Sequence, residues 1–126
     1  MIRLISIVLL CVFLIFGFGD RAWAQNQPTP EQLQQLDTLA QQAIKATNAG
    51  DFATAETYWT EIIEQFPNNP AAVSNRGNAR VSQNKLTEAI ADYNKAIELA
   101  PTATDPYLNR GTALEGLGKW EKAIAD

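Results

Sequence analysis

The sequence contains no histidine, and its one cysteine is Cys11. Neither a His/Cys metal site nor a histidine-based catalytic triad can be assembled from such a chain. Positive charge is scarce as well. Ten Lys and Arg stand against fourteen Asp and Glu, a net charge of −4, so there is no cationic footprint for nucleic acid or anionic lipid. No stretch alternates apolar and polar residues with a period of two, which excludes strands. What is present is an apolar fraction of 46% in 126 residues. That excludes a disordered chain and allows one domain at most.

The N-terminus is set apart from the fold. Arg3 precedes an uncharged apolar run, Leu4 to Phe18, and Gly19, Asp20 and Arg21 break it. Ala22-Trp23-Ala24 then supplies the small-x-small pattern that a signal peptidase requires, so residues 1–24 read as a secretory signal peptide cleaved after Ala24. The alternative is an uncleaved membrane anchor over residues 4–18, although a span needs about 20 apolar residues. Leu10 stands before Cys11 where a lipidation site would want a small residue. Export would leave Gln25 to Asp126, with eight basic and thirteen acidic side chains and no cysteine. Stability must then come from apolar packing alone.

Residues 25–35 read as a polar tether and a helix start. Thr29 can cap, Pro30 suits the first helical position, and Gln32 completes a capping box. Leu33, Leu36, Leu39, Ala40, Ala43 and Ile44 follow at helical spacing, and Asn48-Ala49-Gly50-Asp51 stops them. Phe52, Ala55, Tyr58, Trp59, Ile62, Ile63 and Phe66 mark a second amphipathic helix, ended by Pro67-Asn68-Asn69-Pro70. The fold class is all-α.

Internal repetition carries the most information. Shifting Asn75–Asp92 by 34 residues onto Asn109–Asp126 leaves nine of eighteen positions identical, among them Arg76/Arg110, Gly77/Gly111, Ala89/Ala123 and Asp92/Asp126. Ala43, Ala55, Trp59, Ile62 and Pro67 stand one period before Gly77, Ala89, Tyr93, Ala96 and Pro101. A 34-residue helix–turn–helix period resembles the tetratricopeptide repeat. The resemblance implies a right-handed α-solenoid, with repeats at 36–69, 70–103 and a truncated 104–126. Gly77 and Ala89 are expected to let the two helices of a unit approach. Trp59 and Tyr93 are expected to fill the space toward the next unit. Arg76 and Arg110 depart from the leucine common in the family, and Ala43 from its glycine.

No chemistry survives inspection. Gly118-Lys119 looks like the end of a phosphate-binding loop, but Ala113 replaces its first glycine and Trp120 its Ser/Thr. Glu56, Glu61 and Glu64 crowd one helix and read as a solvated outer face, with no apolar pocket or partner to tune them. Ser74 and Ser82 lack a base to activate them. Trp59, Tyr93, Tyr107 and Trp120 hold repeat positions of core residues rather than a stacking platform. No catalytic residue, metal or cofactor is therefore expected.

What remains is recognition. In the family, ligands lie along the concave face formed by the first helices. Carried onto this chain, that face comprises Ala40, Gln41, Ile44, Thr47, Ser74, Asn75, Asn78, Ser82, Asp105, Leu108, Asn109 and Thr112, a lining rich in amides and hydroxyls. Asn78 is placed in this groove and Gly77 in the frame, so loss of the Asn78 side chain should leave stability nearly unchanged. Chaperone-binding members clamp a terminal carboxylate with Lys, Asn and Arg side chains. Asn75 matches one of these, but Ala40, Ile44, Asp105 and Asn109 occupy the other places, so the clamp is missing. The expected function is an exported scaffold that binds another protein or peptide. The N-R-G-x-A start of two repeats is similar to repeat proteins of photosynthetic bacteria and plastids, which implies assembly of membrane complexes in a periplasm or thylakoid lumen. Alternatives are self-association and an adaptor arm of a longer envelope protein or enzyme. The third unit is read as cut short, its continuation carrying a large aromatic at 127, a small or aliphatic residue at 130 and a proline at 135.

Overall fold

A computed structural model describes residues 27–125, apart from the side chains of residues 120 and 121. The leader, its cleavage site and Cys11 lie outside the described residues, as does the Trp120 side chain. Six helices follow one another: α1 (Pro30–Asn48), α2 (Phe52–Gln65), α3 (Pro70–Ser82), α4 (Leu86–Leu99), α5 (Asp105–Gly116) and α6 (Trp120–Ile124). There is no strand among the described residues. The described residues fall in two units, 27–33 and 34–125.

The described part of the first unit holds the start of α1. The capping box forms in full: Gln32 N–H donates to Thr29 Oγ1 at 3.2 Å, and Thr29 N–H donates to Gln32 Oε1 at 2.8 Å. Leu33, expected on the apolar stripe, is half exposed at 49%.

The second unit is built by repetition. Gly50, Asn84 and Gly118 all have left-handed backbone, with φ of 76°, 59° and 71°, and they stand 34 residues apart. Glycine, and asparagine after it, tolerates this conformation best. The residue after each closes the same turn: Asp51, Lys85 and Lys119 N–H donate to the carbonyls of Ala46, Arg80 and Leu114, each at 2.9 Å. This is the long bond of a Schellman-type helix end. At the other junctions Phe66 and Ala100 leave the helical region (φ −130° and −143°), as residues before Pro67 and Pro101 are biased to do. Asn69 and Asp51 cap the helices that follow, accepting from Ala72 and Thr54 N–H at 3.1 Å.

Packing follows the same register. Leu39, Ala43 and Ala46 of α1, Ala55, Trp59 and Ile62 of α2, and Ala72 and Ala79 of α3 form one apolar cluster. Ala89 and Tyr93 of α4 meet Ala113 of α5 in a second. The role expected for Gly77 needs correction. A Cβ there would lie 2.7 Å from Tyr93 Cε1, so the glycine makes room for an aromatic ring of its own unit rather than for the Ala89 backbone. Tyr93 thus fills its own unit while also reaching Ala113 of the next. Tyr107, expected in the core, is only partly buried, and its hydroxyl donates to the Pro101 carbonyl at 3.1 Å.

Candidate protein-interaction face

The first helices α1, α3 and α5 bring the expected lining together in part. A cleft of about 300 Å³ is bounded by Ile44, Thr47, Trp59, Asn75, Asn78, Ala79 and Ser82. It therefore joins five of the twelve expected residues across two repeats. Leu108 and Thr112 line a second cleft of about 650 Å³ with Thr104, Tyr107, Gly111, Glu115 and Ala123. Ile44 and Leu108 remain 51% and 71% exposed, which leaves apolar surface available to a ligand. Gln41, Thr47, Asn78, Ser82, Asp105 and Thr112 are exposed, while Asn75 and Asn109 are half-buried.

Two assignments are corrected. Ser74 is buried at 9% exposure and cannot serve as open lining. It follows Val73, itself 2% exposed, on the side of α3 that packing covers. Ala40 is half-buried because it packs against the apolar cluster of α1, α2 and α3.

The face has a fixed polar centre. Tyr93 Oη donates to Asn78 Oδ1 at 2.7 Å, and Asn109 Nδ2 donates to the same oxygen at 3.0 Å. Burial, aided by the neighbouring Asp92 charge, pushes the Tyr93 hydroxyl up to about 12, so it stays a proton donor. Asn78 is consequently a junction between α3, α4 and α5 as well as a groove residue. The hydroxyls of Thr47, Ser82 and Thr112 donate back to Ala43, Asn78 and Leu108 carbonyls of their own helices, at 2.9, 3.2 and 3.2 Å. Each of these oxygens keeps acceptor capacity.

Behind the face lies an ion network that sequence inspection missed. Asp92, 4% exposed, accepts from Arg76 Nε and Nη2 at 3.0 and 2.7 Å and from Arg80 Nη1 at 2.8 Å. Arg80 Nε reaches on to Glu56 Oε1 at 2.8 Å, and Gln83 and Lys85 bind Glu56 Oε2 at the same distance. The solvated outer face expected for Glu56 is therefore wrong for that residue, whose side chain is 17% exposed. Burial works to raise its pKa, but hydrogen bonds from Lys85, Arg80 and Gln83 overcome that and lower it to about 2. Glu64 does stand in solvent, and Glu61 is half-buried. The available signal was the pair Arg76 and Asp92, sixteen apart and both repeated 34 residues later as Arg110 and Asp126. Among the described residues no group of three or more His, Cys, Asp or Glu side chains converges as a metal site.

Known proteins share this architecture. Residues 77–118 match the family model for the TPR repeat. Protein SGT1 homolog of Oryza sativa subsp. japonica is 37% identical over 75 residues, covering 60% of this chain and 20% of that one. Tetratricopeptide repeat protein 36 of Xenopus tropicalis is 33% identical over 98 residues, 75% of this chain and 48% of that one. The chain thus spans between a fifth and about half of these two relatives. Among solved structures, the first TPR of Spaghetti (RPAP3) bound to the HSP90 peptide SRMEEVD superposes with a TM-score of 0.71 at 29% identity, covering 73% of both chains. The TPR2B domain of yeast Sti1, in its pHsp70 complex, gives 0.71 at 27%, covering 73% of this chain and 74% of that one. Helix order, the 34-residue recurrence of the left-handed turns and these likenesses agree: the described helices have the helix–turn–helix fold of the tetratricopeptide repeat, and residues 77–118 match its family model.

Proposed function

We propose that this chain is an exported, non-enzymatic scaffold that binds another protein or peptide along its first-helix face, in the assembly of membrane complexes in a periplasm or thylakoid lumen. The observation that carries the binding role is the cleft between Ile44, Trp59, Asn75 and Asn78, apolar at its floor and edged with amides. Side chains of that kind suit an extended backbone, whose N–H and C=O groups need partners once water is displaced. The solved neighbours named above are complexes with HSP90 and HSP70 peptides, which supports a peptide ligand here as well. Export rests on the leader, and the membrane-complex role on the N-R-G-x-A repeat start.

The test is capture from envelope extract by residues 25–126 carrying a photo-cross-linker at Ser82. A partner cross-linked at that position should disappear with Ile44→Arg, which places a charge in the cleft at an exposed position and so spares the fold. A partner held equally by Ile44→Arg and the native chain would place binding elsewhere.

A further inference from the structure

We infer that the groove takes an extended internal peptide segment carrying basic side chains, and turns away acidic chain termini. This deepens the groove reading proposed above and rests on it.

The basis is the distribution of charge over the first helices. Their described cations are Lys45, Arg76, Arg80 and Arg110. Arg76 and Arg80 are drawn to the second helices by Asp92 and Glu56. Arg110 Nη1 lies on Asn94 Oδ1 of α4 at 2.7 Å. Lys45 holds the repeat position of Ala79 and Ala113, which are 3% and 1% exposed, and Ala79 packs among residues of the preceding unit. Lys45 therefore stands on the end of the array rather than along its groove. None of the four is left to meet a ligand carboxylate in the cleft.

The carboxylates are arranged the opposite way. Asp37 and Asp105 occupy one repeat position, two units apart, and both are exposed. Asp37 accepts from Gln41 Nε2 at 2.7 Å, which ties it to the amide row of Gln41, Asn75 and Asn109. Glu115 adds a third carboxylate on the cleft beside Leu108 and Thr112. The groove hydroxyls reinforce this sign, since Thr47, Ser82 and Thr112 spend their protons on their own helices and offer lone pairs.

An anion seated here would lose water without gaining a counter-charge, whereas a Lys or Arg side chain would gain both a carboxylate and acceptors. Neighbouring first helices lie roughly 10 Å apart, so Asp37 and Asp105 are separated by roughly 20 Å. An extended segment covers that distance in about six residues. The fitting ligand thus has two basic residues about six apart, with small or aliphatic residues between them for the cleft over Trp59.

The experiment measures fluorescence anisotropy of three labelled peptides on residues 25–126 at low salt: acetyl-GKSLSTSKLG-amide, the same peptide with glutamate for both lysines, and SRMEEVD with its free carboxylate. The lysine peptide should bind about fivefold or more tightly than either acidic one, and the difference should collapse in the Asp37→Asn, Asp105→Asn double variant. Equal or tighter binding of an acidic peptide overturns the charge preference, as does a preference that survives the double variant. If an acidic peptide binds and Ile44→Arg abolishes it, the groove stands and only the preference falls. If none of the three binds, the groove fails with it.

Discussion

Asn78 shows how a side chain can belong to groove and frame at once. Its carbonyl oxygen holds the hydroxyl of Tyr93, a residue 1% exposed. Removing it leaves that hydroxyl without its partner, at a cost of about 1–3 kcal/mol. Asn78→Ala should therefore lower the thermal midpoint measurably, contrary to the near-neutral outcome expected from its place on the groove alone. Asn75→Ala, at a half-buried position, should stay within about 0.5 kcal/mol of the native chain. Equal midpoints for the two variants would show that the Tyr93–Asn78 bond contributes nothing. Gly77 is a stricter case. With the Tyr93 ring already 2.7 Å from where a Cβ would stand, Gly77→Leu should overpack the unit and cost about 1–3 kcal/mol in denaturant unfolding.

Between elements, an ion network accompanies the apolar clusters. Arg76 and Arg80 from α3 converge on Asp92 of α4, and Arg80 continues to Glu56 of α2, so one network ties the second helix of one repeat to both helices of the next. Asp92→Ala would strand the partly buried Arg76 guanidinium and leave Arg80 with Glu56 as its remaining carboxylate, and should cost about 3–5 kcal/mol, read as a shift in the urea midpoint. The network also sets an acid limit. Because the Glu56 pKa is lowered in the folded chain, to about 2 from 4.5, its contribution is fully present above pH 4.5. It is lost progressively as pH falls toward 2. Thermal midpoints should fall across that window, and Glu56→Gln should flatten the slope while lowering stability at neutral pH. A slope unchanged by Glu56→Gln would assign the acid sensitivity to other carboxylates.

For the whole molecule, the repeats supply the stack, while exposed first-helix positions such as Gln41 and Ile44 lie outside its buried core. Export is tested on the same scale. Expressed in a bacterium with residues 1–24 in place, the protein should be recovered outside the cytoplasm with Gln25 as its first residue. N-terminal sequencing that instead returns Met1 from the membrane fraction would support the anchor over residues 4–18.

The sequence by itself determined the helical class, the 34-residue period and the positions of its turns, because glycine, asparagine and proline act locally and at fixed places in each unit. The stops at Asn48-Ala49-Gly50-Asp51 and Pro67-Asn68-Asn69-Pro70 are legible without any contact. It also excluded histidine chemistry outright, since no fold can supply a missing side chain. Only the tertiary structure decided which atoms meet. Periodicity says that Arg76, Asn78 and Ser74 sit on a first helix, but the directions of Arg76 and Asn78 depend on helices 15 to 31 residues away in sequence. Ser74 is turned under packing, Arg76 is paired with Asp92, and Asn78 is shared between Tyr93 and Asn109. Glu56 looked solvated because its helix alone offers it no cation. Arg80 and Lys85, 24 and 29 residues on, reach it only once the next repeat has stacked.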